Sequence, residues 1–124
     1  YAKAKFLFEN DFSCFKKKDC LFSMTSHIIY KDIDPINTAT HSVKIIKLIR
    51  NRLGFKNIII SDDISMKSLK FSLKINTQKA FTAGCNLVLH CNANYKQMKI
   101  VANNSPLINP FIIKKTSQFY KFLS

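Results

Sequence analysis

The sequence predicts an α/β fold in which parallel strands alternate with helices. Two short apolar runs, at 58–60 and 87–91, read as strands buried inside a sheet. A segment with helical character, at 74–83, lies between them, and the two strands begin about 29 residues apart, the length of a strand–helix–strand unit. A further strand is expected earlier, at 21–26, in a segment that begins with a short apolar run. Strands that alternate with helices in this way form a parallel sheet with helical crossovers, either an open doubly wound sheet or an eight-stranded barrel.

The amino-terminal third is expected to hold one short helix, one strand and one loop. The segment 7–18 mixes phenylalanine with charged residues, which indicates a short helix or the end of a helix. The segment 20–30 begins with a short apolar run, as a strand buried on both faces would, and the strand is placed at 21–26. Pro35 and several polar residues then mark the segment 31–40 as a loop.

A helix is predicted after Ser42, a favourable N-cap, and should end before Gly54. Its apolar residues recur at helical spacing: Val43, Ile45, Ile46, Ile49 and Leu53. Gly84 should end the following helix in the same way. Further helices are predicted at 95–102 and after the SPLINP segment.

The formal net charge of +13 raises the question of nucleic acid. The lysines, however, are spread from Lys3 to Lys121, with a single cluster at 16–18, whereas a binding surface concentrates them on one face. We therefore expect a solvated lysine-rich surface and no nucleic-acid partner.

We expect no membrane span, because no apolar run approaches the roughly 20 residues needed to cross a bilayer. The 4 cysteines form no C-x-x-C pair, so the sequence indicates neither a metal site nor a cofactor. Thiols in a reducing cytosol are the default, which predicts a cytoplasmic protein. A start at Tyr1, without Met, indicates a piece of something longer.

Asp62 and Asp63 follow the most apolar strand, where the carboxyl ends of a parallel sheet carry chemistry. Successive side chains of a regular strand point to opposite faces, so both cannot face one pocket. One could serve chemistry while the other caps the turn at 64–67 or pairs with a lysine. Alternatively, both aspartates cap a helix N-terminus.

Three motifs, in order, resemble glycoside hydrolase family 3. These are SMTSHIIYKDIDPINTAT, LIRNRLGFKNIIISDDISMKSL and AGCNLVLHCN, and the likeness runs from about residue 11 to about residue 107. Together they are similar to the single-domain bacterial β-N-acetylhexosaminidases of peptidoglycan recycling. The HIIYKDID loop sets them apart from the β-glucosidases of the same family.

The resemblance implies a (β/α)8 TIM barrel, with this chain as its C-terminal portion of about three βα units. The three strands would be the sixth, seventh and eighth. Asp62 would be the catalytic nucleophile of a retaining glycosidase, forming a covalent glycosyl-enzyme that water then hydrolyses. The start of the next helix would supply part of the positive potential that this carboxylate needs.

The family's acid/base is a histidine paired with an aspartate on a loop after an earlier strand. His27, His41 and His90 do not match it. His27, Asp63 and Met66 are candidates for lining the substrate pocket. For His27 the alternative is a hydrogen bond to a neighbouring loop, and for Met66 it is packing.

The resemblance also implies what surrounds the chain. Residues 1–124 would be a single partial domain, with 105–124 as a C-terminal helical tail, whereas a whole barrel needs about 250 residues. The missing N-terminal barrel half would be required for folding, and the isolated chain would be inactive. The substrate would be a small saccharide or muropeptide bearing terminal N-acetylglucosamine. The competing hypothesis is a non-catalytic basic remnant, or a nucleic-acid-binding module, on a barrel-derived scaffold.

Overall fold

The structure, a computed structural model, describes residues 3–16 and 20–123. Three strands alternate with helices over most of this length. In chain order the elements are α1 (Ala4–Glu9), a 3-10 helix (Asp11–Lys16), β1 (Phe22–Met24), a 3-10 turn (Ala39–His41), α2 (Val43–Asn51), β2 (Ile58–Asp63), α3 (Leu73–Ala83), β3 (Leu87–Leu89), α4 (Tyr95–Asn103) and α5 (Pro110–Leu123).

The three strands form one parallel sheet in the order β1-β2-β3, which confirms the predicted α/β arrangement. The central strand β2 pairs Ile58 with Phe22 and Ile60 with Met24 of β1. Its pairing with β3 is irregular, because the register shifts between Ile60 and Asp63. β2 runs beyond the predicted isoleucines to Asp63, whereas β1 and β3 are shorter than predicted.

Local signals determine where the two crossover helices begin and end. The Ser42 hydroxyl accepts the Ile45 N–H and caps α2, and Ser72 caps α3 in the same way through Ile75. Gly84 ends α3 with a left-handed φ of 111°. A Cβ at this glycine would lie 2.9 Å from Ile46 Cγ2, so the close approach of α3 to α2 also requires glycine.

The core lies between the sheet and the helices that cover one of its faces. Ile59 of β2 is wholly buried against isoleucines of α2, and Phe55 closes the end of that helix. Phe15 meets the Phe55 ring edge-on at 6.1 Å, which attaches the amino-terminal segment to this core. The other buried members of this cluster are Leu7, Phe12, Ala39, Ile45, Ile46, Ile49, Leu53, Ala80, Ala83 and Cys85.

The helical character predicted for 7–18 is confirmed in part, because the segment holds the end of one helix and a second, 3-10 helical piece. α1 ends at Glu9, and the 3-10 helix occupies Asp11–Lys16; the predicted end at 17–18 lies outside the described residues. Asn10 accounts for the break. Its side chain donates to Phe6 O, and its own carbonyl accepts the Ser13 hydroxyl, so local hydrogen bonds replace the helical ladder.

The predicted burial of the first strand on both faces is wrong. Phe22 and Met24 are 40% and 51% exposed, because β1 lies at the edge of the sheet. Their register with Ile58 and Ile60 places all four side chains on the sheet face that α2 and α3 do not cover. This face is only partly open, because Ile58 on the central strand is 1% exposed and the Phe119 ring of α5 meets Phe22 at 6.0 Å.

A buried carboxylate, Asp34, joins the 31–40 loop to the start of α2. It accepts the Ser42 hydroxyl at 2.6 Å and the backbone N–H groups of Ile36 and Asn37. Burial alone would raise the pKa of Asp34, but these hydrogen bonds lower it from 3.8 to about 2. The charged form is therefore the one that stabilises the fold.

We predict that Asp34→Asn in the full-length protein lowers the free energy of unfolding by about 2 kcal/mol at neutral pH. Because the folded pKa lies below the unfolded value, this contribution is complete above about pH 4 and is lost as the pH falls through about 2. Urea unfolding at pH 7 and near pH 2 measures it. Glu9→Gln, at an exposed position, is the control. A difference between wild type and Asp34→Asn that is equal at both pH values would contradict the assignment.

Candidate active site

Polar residues of all three strands meet at the carboxyl edge of the sheet. His27 follows β1, Asp62 and Asp63 end β2, and Cys91 follows β3. Hydrogen bonds join them: the His27 Nε2 lies 2.8 Å from Asp63 O, and the Cys91 N–H donates to Asp63 Oδ1 at 3.3 Å. Asp63 is therefore the centre of this edge.

The carboxylate of Asp63 caps the turn that follows β2. It accepts the Ser65 N–H at 3.0 Å and the Ser65 hydroxyl at 2.7 and 2.8 Å. Burial alone would raise the pKa of Asp63, but the hydrogen bonds from Ser65 and Cys91, with nearby His90, hold it below its ordinary value. This arrangement is one of those predicted for the pair, in which one aspartate caps the turn.

Asp62, half-buried beside it, makes fewer contacts. Its Oδ1 accepts the Asp63 N–H at 2.8 Å, and within the described part of the chain the carboxylate has no other hydrogen bond. One oxygen is thus oriented by the backbone, while the second has no hydrogen-bond partner among the described residues.

The two aspartates do not alternate as those of a regular strand would. The register shift gives β2 an extra residue between Ile60 and Asp63, so strict alternation of side chains ends there. Both carboxylates act on one neighbour: desolvation raises the pKa of the Cys91 thiol, and the charges of Asp63 and Asp62 raise it further. The two aspartates were expected on opposite faces of a regular strand, and the bulge makes the strand irregular at this point.

Neither aspartate caps a helix. α3 begins at Leu73, and Ser72 caps it, so a turn of nine residues separates Asp63 from the helix. The hypothesis that both carboxylates cap a helix N-terminus is therefore wrong. The expected support of Asp62 by the start of the next helix also lacks its structural basis, because the residues that directly follow the strand form a turn.

The other predicted site residues take different positions. Both ring nitrogens of His27 are engaged, Nδ1 with the Thr40 hydroxyl at 2.9 Å and Nε2 with Asp63 O. Met66 is 44% exposed and lines a cleft of about 150 Å³, so it does not fill a gap in the core. The polar members of that cleft are Ser65, Lys67, Asn76, Asn92 and Gln97.

The remaining two histidines, His41 and His90, form hydrogen bonds to other parts of the fold. His41 is buried and its Nε2 lies 3.2 Å from Asn76 O. Burial, with the charge of Lys79, lowers the pKa of His41 to about 4, so the ring is neutral at pH 7. His90 Nε2 lies 3.1 Å from the side-chain oxygen of Gln97 at the start of α4.

Two contributors to this edge were not anticipated. Ser65 stands two residues after Asp63, the spacing at which an aspartate caps its own turn, and that local signal could have identified it. Thr40 comes from the 31–40 loop region and meets His27 across 13 positions of sequence. Nothing in the local pattern signals that contact.

A larger cleft lies away from both aspartates. It has a volume of about 640 Å³ and borders the end of β1, with Leu7, Asp11, Ser26, Ile28, Ile29, Tyr30 and Lys31 around it. Its wall contains neither Asp62 nor Asp63.

The residues that the structure describes hold neither a metal-binding cluster nor a membrane-spanning helix. In that part of the chain, no cluster of three or more His, Cys, Asp or Glu side chains is arranged to hold a metal ion. No helix there combines the length and apolar character needed to cross a membrane.

Comparison with known proteins identifies the family of this chain. The model of the glycosyl hydrolase family 3 N terminal domain matches residues 3–115. The chain is 32% identical over 99 residues to a beta-hexosaminidase of Psychromonas ingrahamii, covering 78% of this chain and 27% of that protein. It is 43% identical over 72 residues to a beta-hexosaminidase of Nitrosomonas eutropha, covering 56% of this chain and 20% of that protein.

Among solved structures, the beta-N-acetylglucosaminidase of Thermotoga maritima superposes with a TM-score of 0.71 at 28% identity, over 83% of this chain and 24% of that one. The chain thus spans about a quarter of the length of the relatives it matches. Because the family model covers nearly all of its residues, the chain belongs to glycosyl hydrolase family 3.

Proposed function

We propose that this chain is the nucleophile-bearing part of a retaining β-N-acetylhexosaminidase, with Asp62 as the nucleophile. The observation that carries the proposal is the different hydrogen bonding of Asp62 and Asp63 at the end of β2. Asp63 uses its carboxylate to hold the turn and β3, whereas Asp62 keeps one oxygen open at the carboxyl edge of a parallel sheet. Relatives named beta-hexosaminidase supply the substrate class.

The proposed chemistry uses the Asp62 carboxylate twice. Its open oxygen attacks the anomeric carbon of N-acetylglucosamine, and the bond to the leaving-group oxygen breaks as that oxygen takes a proton from an acid. Water then attacks the same carbon, gives up a proton and releases Asp62 as a carboxylate. The Asp63 N–H at 2.8 Å orients the nucleophile through both steps.

We further propose that the acid/base lies outside this chain. The three histidines have other partners: His27 bonds Thr40 and Asp63, His41 bonds Asn76, and His90 bonds Gln97. A proton donor must therefore come from another part of the assembled enzyme.

The same proposal assigns the sheet to a (β/α)8 barrel. Three parallel strands in sequential order, with helices on one face, are what the C-terminal portion of such a barrel would contribute. The other face exposes Phe22 and Met24, and β1 and β3 have open edges in the described part of the chain. An amino-terminal barrel half would cover that face and pair those edges.

The proposed substrate is a peptidoglycan fragment with terminal N-acetylglucosamine, hydrolysed in the cytoplasm. The resemblance to peptidoglycan-recycling enzymes supports this choice, and the relatives' name, beta-hexosaminidase, supports only the class of sugar that is removed. A small saccharide needs contacts from several barrel loops, of which this chain supplies those after three strands.

We predict that Asp62→Ala in the full-length protein abolishes hydrolysis of a chromogenic N-acetylglucosaminide. Loss of a covalent nucleophile costs on the order of 10⁴-fold or more in kcat. The melting temperature should stay close to that of the wild type, because Asp62 makes one local hydrogen bond. Initial rates and thermal unfolding of the same preparations provide both measurements.

Asp63→Ala is the matched control. It should lower the melting temperature, since it removes the cap on Ser65 and the link to Cys91, while leaving measurable turnover. If Asp63→Ala abolished turnover and Asp62→Ala did not, the roles of the two aspartates would be reversed.

We predict that the isolated 124-residue chain is poorly soluble and does not hydrolyse the same substrate. Its uncovered apolar face favours association, and it carries no free acid/base histidine among the described residues. Light scattering and the chromogenic assay test the two parts. Hydrolysis at the rate of an ordinary glycosidase would show that the chain needs no further part.

A further inference from the structure

We propose that His27 is a positioning residue for Asp62, holding the end of β2 through the Asp63 carbonyl rather than touching the sugar. The inference deepens the proposed function and rests on it. It is carried by hydrogen bonds that link β1, the 31–40 region and β2 through a single imidazole.

The backbone pairing between β1 and β2 stops short of the aspartates. It ends where the Thr25 N–H donates to Ile60 O at 2.9 Å. Beyond this point the His27 ring takes over, because its Nε2 reaches Asp63 O at 2.8 Å, three residues further along β2. The imidazole thus continues the attachment between the strands after the ladder has ended.

The chemistry of the acceptor determines which nitrogen carries hydrogen. A carbonyl oxygen can only accept, so the His27 Nε2 must be the donor to Asp63 O. The Nδ1 side is held at 2.9 Å by the Thr40 hydroxyl, which in turn lies 2.9 Å from the Thr25 hydroxyl and 3.1 Å from Ser26 O. Thr25 and Thr40 are buried, so the ring is anchored on a fixed base.

The position of Asp63 matters for Asp62, because the Asp63 N–H orients Asp62 Oδ1. On the β3 side this segment is already tied: Leu89 N–H donates to the Ser61 hydroxyl, and Ile64 N–H donates to Leu89 O. His27 supplies the corresponding tie on the β1 side. Without it, one flank of the nucleophile segment would be unsupported.

Direct contact of His27 with a sugar is disfavoured by the same bonds. Both ring nitrogens already lie within hydrogen-bond distance of protein atoms, Nδ1 at 2.9 Å from the Thr40 hydroxyl and Nε2 at 2.8 Å from Asp63 O, so a sugar hydroxyl would have to compete with these partners. His27 therefore acts on the reaction through Asp63 and the backbone.

Three substitutions of His27 separate the loss of its hydrogen bond to Asp63 O from the loss of side-chain volume. In the full-length protein, His27→Gln can place an amide N–H2 near the Nε2 position and preserve donation to Asp63 O. His27→Asn is shorter and reaches the Nδ1 side alone, and His27→Ala reaches neither. His90→Gln is the control for loss of a nearby imidazole, because that ring bonds Gln97 and acts on Asp63 through charge rather than through a hydrogen bond.

We expect kcat to fall by about 100-fold in His27→Asn and His27→Ala with KM changed less than about threefold, because misplacement of a reacting group by about 1 Å costs this much. His27→Gln should recover most of the loss. Amide hydrogen exchange at residues 61–65 should accelerate in the Asn and Ala variants and not in the Gln variant.

The exchange readout keeps the inference separate from the proposed reaction. If wild type fails to hydrolyse N-acetylglucosaminides while exchange follows the predicted order, the proposed function fails and the positioning of this segment stands. Equal kcat and equal exchange in all His27 variants would overturn the inference. A rise in KM at constant kcat would overturn it as well, by indicating direct substrate contact.

Discussion

The hydrogen bonds of the Asp63 carboxylate are the interaction on which the rest of this site depends. These bonds give one of the two adjacent aspartates a structural role. They join the end of β2 to its own turn through Ser65 and to the residue after β3 through Cys91. The backbone that carries Asp62 is restrained by these hydrogen bonds. Two neighbouring carboxylates of identical chemistry thus acquire different roles through their hydrogen-bond partners alone.

The same edge shows how the fold serves the site. Parallel pairing brings the ends of three strands together, and each contributes a different part: a histidine, an acidic pair, and a backbone N–H. The core that supports this edge lies behind the sheet, where Ile59 packs against the isoleucines of α2. The opposite face exposes apolar side chains, which agrees with a chain that spans about a quarter of its relatives.

Features set by neighbouring residues could be predicted from sequence. Ser42 and Gly84 delimit helices through local hydrogen bonds and backbone conformation, and both were correctly placed. The break at Asn10 was missed, because its side chain competes with the helix in a way that residue pattern does not reveal. The exposure of Phe22 was missed for a different reason. An apolar run predicts burial in a complete sheet, and this strand lies at an edge.

The site itself was only partly predictable. The position of Asp62 and Asp63 followed from the strand before them, but the register shift that ends their alternation depends on pairing with β3. The partners of His27 stand 13 and 36 residues away, so its role required coordinates. The most direct test of the account is to treat the full-length protein with a 2-fluoro glycoside and locate the trapped sugar by peptide mass spectrometry. The account predicts one sugar bound to Asp62; a sugar on Asp63, or on any other residue, would contradict it.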